Sequence, residues 1–382
     1  MFSLKKILVF FISFKNKFFQ KTDIIINPDF ISNYRSVLID KLVKEIKKRK
    51  LTYKILSNSK SYFNLDIKDK YLLEKEYIRS NPLFLFKNII WQPKLLRSFL
   101  LLRPKIFIVW GEVTRINSWI ILILRKLLFR ESKIYLWTHG IYGREKYIIR
   151  KLRAIHFNMA DLILVYSSYS ERLLILNGIN KSKIKIIGNQ LPDAEQYRIL
   201  EKVQNKAKEL NLIFVGRISK KKKIDLVIKL VQNWSSKHQF SVNLTIIGPN
   251  TKSFKKKKFY NSSIIYIPAI YEPENLNRYY SKNDYGICPD NVGLFCLSCI
   301  LTGIPIITHN NLAYHGPESS SLKINENIIE IEFPVNLKDL EDKIVKAYYY
   351  KTDQRFSPFK IRKTLPYYFE SNYPEKVIKE IF

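Results

Sequence analysis

Cysteine is scarce in this chain: three residues in 382, all within one segment, at Cys288, Cys296 and Cys299. That excludes a disulfide framework. The pair Cys296-x-x-Cys299 lies in an apolar, helix-like run with no further ligands at metal-site spacing, so it reads as packed core thiols. Acidic residues are also short, 33 against 66 Lys and Arg, which leaves a formal charge of +33. Such an excess points to nucleic acid, an anionic membrane surface or an anionic small substrate. No zinc-finger, helix-turn-helix or RNP motif accompanies the basic residues, and they are spread along the whole chain, so a nucleic-acid partner is not expected. The sequence has no Gly-x-x-x-x-Gly-Lys-Ser/Thr element, which excludes a P-loop NTPase. It has no Gly-x-Gly-x-x-Gly, which argues against nicotinamide binding, and no Asp-x-Asp, so neither a cofactor nor a metal is expected.

Long apolar runs are missing too. The N-terminal run Ile7–Phe14 is too short to cross a bilayer. Basic residues Lys15, Lys17 and Lys21 follow it, with no small-residue cleavage site. Residues 1–22 therefore read either as a basic aromatic segment on the cytoplasmic face of a membrane or as a poorly ordered tail. The expected location is cytoplasmic, peripheral to the inner face of the cytoplasmic membrane.

What is present is alternation. Short apolar strands trade places with amphipathic helices throughout, the pattern of α/β domains with mostly parallel, doubly wound sheets. A chain of this length suits two such domains. Residues 23–195 form the first, 196–210 a polar linker, 211–350 the second, and 351–382 a helical segment expected to pack back on the first domain. Within the first domain, strand Thr22–Asn27 is expected to end at Pro28, and Pro82–Leu102 to form a helix pair. The two domains are expected to face a cleft.

One stretch organises the second domain. Strand Tyr285–Cys288, a turn at Pro289-Asp290-Asn291, a helix over Val292–Leu301, Gly303 and strand Pro305–Thr308 make a βαβ unit. Its turn lies where open parallel sheets bind ligands, and the helix expected to start near Asn291 suits a phosphate. Gly216-Arg217 with Lys222, and Gly248-Pro249, follow other strands of the same domain. Two fixed cations beside a glycine turn suit a diphosphate. His139 follows a strand of the first domain and reads as functional or structural. Glu112 and Glu145 also follow strand ends, as acceptor-side carboxylates or ordinary structural ones.

Phe214-Val215-Gly216-Arg217-Ile218 with Lys222-Lys223-Ile224-Asp225 resembles an element of the group 1 nucleotide-sugar glycosyltransferases of the two-Rossmann (GT-B) type. Pro289–Leu294, Gly303–Asn311 and His315-Gly316-Pro317-Glu318 are similar to a subgroup from bacterial surface-polysaccharide synthesis, as are Trp137–Gly140, Gly143-Arg144-Glu145 and Val165–Ser167. The resemblance covers most of residues 23–320. It implies a retaining, metal-independent transferase that moves a sugar from a nucleoside diphosphate to a lipid-linked glycan acceptor. Arg217 and Lys222 would hold the diphosphate; Gly216, Gly248, Asp290, Asn291, Gly293 and Leu294 would line the donor; His139, Arg144, Glu112 and Glu145 would stand on the acceptor side. The family carries two glutamates separated by seven residues; here those positions are Asp290 and Ser298, with Glu318 either a substitute carboxylate or a helix N-terminal charge. Lys223 replaces the family's usual glycine. Two rivals stand beside this reading: a nucleotide-sugar epimerase on the same fold, and a non-catalytic basic binding protein.

Overall fold

The computed structural model describes residues 21–58, 76–86, 89–201, 208–235, 237–249 and 253–382. Most of the N-terminal segment 1–22 and residues 202–207 of the expected linker lie outside them. Two compact units result. One comprises the described residues of Met1–Thr138, Tyr147–Leu164 and Asn177–Lys185; the other comprises His139–Lys146, Val165–Leu176 and the described residues of Ile186–Phe382.

The first sheet uses β1 (Ile24–Phe30), β2 (Tyr53–Asn58), β3 (Tyr77–Arg79), β6 (Ile106–Trp110), β7 (Lys133–Trp137), β8 (Leu162–Val165) and β9 (Ile184–Ile186). The strands between, β4 (Leu83–Phe86) and β5 (Ile89–Trp91), form a separate antiparallel pair. The seven-stranded order is β3-β2-β1-β6-β7-β8-β9. Apart from the excluded hairpin it is the Rossmann order, outward from β1 in both directions. The interior strands are buried on both faces, which is why they read as continuous Ile, Leu and Val runs.

Two expectations fail here for physical reasons. β1 does not end at Pro28; its pairing with β2 shifts register between Ile26 and Asp29 and then resumes. The missing proline N–H falls in that irregularity, where no ladder bond is required. Pro82–Leu102 is not a helix pair but the β4–β5 hairpin followed by a helix at Pro93–Leu102. Aromatic and β-branched residues at Phe84, Ile89, Ile90 and Trp91 favour paired strands, and Pro93 serves as the first helical residue.

The second sheet contains β10 (Glu209–Val215), β11 (Ser241–Ile247), β12 (Lys255–Phe259), β13 (Ser262–Ile267), β14 (Tyr285–Ile287), β15 (Ile306–Thr308) and β16 (Ile328–Glu330). Its order, β12-β13-β11-β10-β14-β15-β16, repeats the Rossmann pattern around β10, with β12 added antiparallel at one edge. β12 is four lysines and a phenylalanine, a composition without apolar alternation. It is an exposed edge strand, where lysines discourage further pairing. The helix of the organising βαβ unit runs Phe295–Thr302, and all eight of its residues are buried. It ends at Gly303, whose φ is +74°. The C-terminal segment falls in this unit. Its helix Pro358–Lys363 packs on Phe295–Thr302, with Arg362 Nη1 donating to Leu301 O at 2.7 Å, and Tyr368 Oη lies 2.8 Å from Ser168 Oγ.

In the first unit the β1 irregularity is tied down by an ion pair. Arg115 Nη2 lies 2.6 Å from Asp29 Oδ2, and both side chains are nearly inaccessible. Removing one partner strands the other charge in the interior. Arg115→Met is expected to cost about 3–5 kcal/mol in chemical unfolding, with Arg115→Met/Asp29→Asn recovering most of it. A loss in the double variant equal to the sum of the Arg115→Met and Asp29→Asn losses would show that the pair is not coupled.

Candidate functional site

The crevice where β10 and β14 diverge is the switch point of the second sheet, where open α/β sheets take ligands at the strands' carboxyl ends. β10 ends just before Gly216, and β11 just before Gly248. A Cβ on Gly248 would stand 2.1 Å from the Gly216 carbonyl oxygen, so the two turns pack backbone on backbone. Arg217 is exposed beside this junction. The residues Lys220–Lys222 form one turn of 3-10 helix, and Lys223 follows at φ +51°. That left-handed geometry explains why a glycine is expected there; Lys223 adopts it and reaches Asp290, its Nζ 3.7 Å from Oδ2.

Lys222 joins the two turns. Its Nζ donates to the carbonyl of Asn291 at 2.8 Å, which places the ammonium against the loop after β14. An ammonium has three donors, so others remain for an anion. The helix does not start near Asn291, as the sequence suggests, but at Phe295. Asn291 has φ +49°, and the N–H of Val292 is taken by His315 Nδ1 at 3.0 Å. Residues 291–294 therefore form a turn ahead of the helix. Gly293 and Leu294 lie in that turn, and Cys296 N donates to the Gly293 carbonyl at 3.0 Å.

Two stacked imidazoles hold this turn. The rings of His309 and His315 are 3.9 Å apart and 17° from parallel. His315 accepts from Val292 at Nδ1, so it donates from Nε2 to the His309 carbonyl at 2.9 Å. His309 accepts from Asn311 N at Nδ1 and faces Asp290 Oδ1 from Nε2 at 3.2 Å. Asp290, His309 and His315 bring their ligand atoms within 4.8 Å of one another. All four ring nitrogens are nevertheless engaged in hydrogen bonds, so the arrangement is a structural clamp rather than a ready metal site. Burial lowers the His315 pKa to about 4, with the nearby His309 adding to the effect. Burial raises the Asp290 carboxyl, but hydrogen bonds from His309 and Asn291 outweigh it and leave the group below its ordinary value.

Glu318 lies deeper. It is buried, its pKa is raised by that burial, and it accepts a hydrogen bond from Asn189 Nδ2 at Oε1. Gly316 and Gly293 pass close to the carboxylate: a Cβ on Gly316 would sit 2.5 Å from Oε2, and one on Gly293 3.8 Å away. Ser298 is turned elsewhere, its Oγ 2.6 Å from the Tyr280 hydroxyl and donating to Phe295 O.

Beside the clamp is a cavity of about 180 Å³ within the same unit. His139, Tyr142, Arg144, Tyr169, Asn291 and His315 contribute to its wall. The His139 ring is 5.0 Å from Tyr166 and 5.9 Å from Tyr142. Arg144 lies over the rings of Tyr142 and Tyr314, at 5.6 and 5.5 Å. So the fold brings together His139, Arg144 and Asn291, which sequence reasoning placed separately. Glu145 is near but committed: its oxygens accept from the N–H groups of Tyr142 and Gly143 at 2.7 and 2.8 Å, shaping the loop. Glu112 is in the other unit, ion-paired with Arg153 at 2.9 Å. Sequence reasoning gave no role to Tyr142, Tyr169, Asn189 or His309. Only the pair His309 and His315, six residues apart after β15, carried a usable signal. The three cysteines are all buried, and burial raises each thiol's pKa.

Two Rossmann-type sheets of this order make up the GT-B type of fold. Residues 196–348 match the family described as Glycosyl transferases group 1. A curated relative, an "Uncharacterized 41.2 kDa protein in cps region" from Klebsiella pneumoniae, is 26% identical over 189 residues. That match covers 47% of each chain, so this chain spans about half the length of that relative. Among solved structures, the lipopolysaccharide outer core galactosyltransferase WaaB in its apo form is similar at TM-score 0.62 and 14% identity, over 94% of this chain and 99% of that one. Anabaena HepE in complex with UDP and glucose gives 0.58 and 13%, with the same coverage. At these identities the structures establish the shared fold.

The His315 clamp makes a pH prediction. Its folded pKa lies below the ordinary histidine value, so acid protonates the unfolded chain first. The stability it carries is complete above about pH 6.5 and is lost as pH falls toward 4, by about 3 kcal/mol. In urea unfolding across that window, His315→Gln should show a shallower slope and lower stability at neutral pH. An unchanged slope would mean that His315 is not held neutral.

Proposed function

We propose that the protein transfers a sugar from a nucleoside diphosphate to a glycan acceptor, lipid-linked, in surface-polysaccharide synthesis. The reading includes retention of anomeric configuration, no metal ion, and work at the anionic inner face of a membrane. The observation that carries it is the Lys222 ammonium set against the Asn291 carbonyl at 2.8 Å, which joins the Gly216-Arg217 turn to the turn after β14. In transfer, the bond from the sugar's anomeric carbon to the diphosphate oxygen breaks and negative charge grows on that diphosphate. Arg217 and Lys222 neutralise it, the largest contribution that a site of this kind offers. The acceptor hydroxyl oxygen forms the new bond, and its proton goes to the departing phosphate. His139 and Arg144 face the cavity where sugar and acceptor would meet.

Support for the donor class comes from HepE, whose structure holds UDP and glucose, and support for the polysaccharide role from the cps-region relative. Glu318 is the carboxylate offered in place of the one that Ser298 lacks; it stands beside Gly293 and Gly316, whereas Ser298 points at Tyr280. No feature of the site favours the epimerase or the non-catalytic reading.

Thermal-shift screening against UDP, GDP and their sugars identifies the donor, and transfer or donor hydrolysis is then followed with it. Arg217→Ala and Lys222→Ala should each lower the rate about 10²–10³-fold with the unliganded melting temperature nearly unchanged. Full activity in both variants, or stabilisation by oligonucleotides alone, would overturn the assignment.

A further inference from the structure

The helix Tyr147–Asn158 is amphipathic the wrong way round. Its inward face carries Arg153 and His156 with Ala154 and Phe157. Both polar side chains find partners there: Arg153 meets Glu112 at 2.9 Å, and His156 Nε2 is 2.8 Å from Ser118 Oγ with its ring against Trp119. Its outward face carries Ile148, Leu152 and Ile155, at four- and three-residue spacing, exposed by 70%, 42% and 54%. Tyr147 and Ile149 flank the stripe and are also exposed. A solvated helix normally shows water the opposite set.

We propose that this outward stripe is a membrane-docking surface that lies in the headgroup region of an anionic bilayer. It deepens, and rests on, the membrane location proposed above. The argument for lipid is charge complementarity. Lys146, Arg150 and Lys151 border the stripe, and no acidic residue occurs from Lys146 to Ala160. Glu145, just before, is bonded to the N–H groups of Tyr142 and Gly143. Lys151 Nζ lies 5.5 Å from the centre of the Tyr147 ring, an arrangement in which the apolar stem lies low and the cation stays near phosphates. The chain's +33 charge adds long-range attraction to the same surface. Among the described residues no helix is long and apolar enough to cross a membrane, so this contact is interfacial. The same unit also exposes Leu83, Phe84 and Leu127.

The test uses the full chain with vesicles of phosphatidylcholine, with and without phosphatidylglycerol. The three native cysteines are buried, so Leu152→Cys takes an environment-sensitive dye selectively. The dye should blue-shift with anionic vesicles only, and Ile148→Glu/Leu152→Glu should lower co-sedimentation about tenfold or more. Nucleotide thermal shifts in that double variant confirm that it is folded. Vesicle binding with an unshifted dye would overturn this helix as the contact and leave the membrane location standing. No vesicle binding at all would overturn both, and capture of a protein by the stripe without vesicle binding would overturn the lipid assignment.

Discussion

The turn after β14 is held by two stacked imidazoles whose nitrogens are all in use. Val292 gives its N–H to His315, His315 gives its own to the His309 carbonyl, and His309 faces Asp290. Asn291 takes a left-handed φ of +49°, so the chain does not enter the helix there. The Asn291 carbonyl is left for Lys222, and that bond sets the cation of one turn against the backbone of the next. The clamp therefore positions the Lys222 ammonium without touching it. Its cost is two buried rings, and the neutrality of the His315 ring is what makes the unit sensitive to acid.

Carboxylates in this protein are assigned by burial more than by motif. Glu145 shapes a loop, Glu112 neutralises an inward arginine, and Asp290 belongs to the clamp. Glu318 is held with an Asn189 hydrogen bond in a space kept open by two glycines. The helix Tyr147–Asn158 follows the same economy: its charged and polar side chains find partners inside, and its aliphatic ones are left outside.

The sheets were largely legible. Runs such as Ile106–Trp110 and Leu210–Val215 are apolar enough to demand burial on both faces, and Gly, Pro and Asn mark most of their ends. β12 was not legible, because four lysines carry no strand pattern and only the edge of a sheet tolerates them. The Leu83–Trp91 hairpin was misread because a short apolar run does not distinguish helix from strand. At the site, Gly216, Arg217, Lys222 and Asn291 could be picked from glycine turns and fixed spacing. Tyr169 and Asn189 could not, since neither stands in a motif and each matters only for what it meets.

The sequence by itself determined the class of architecture and the position of the basic glycine turns, because strand periodicity and turn chemistry are local. Tertiary structure alone decided the rest. It chose which carboxylate stands beside Gly293, turned Ser298 to Tyr280, set His139 and Arg144 into one wall, and faced Ile148, Leu152 and Ile155 outward. Those outcomes depend on contacts between residues far apart in the chain, and on which polar groups found partners once water was excluded.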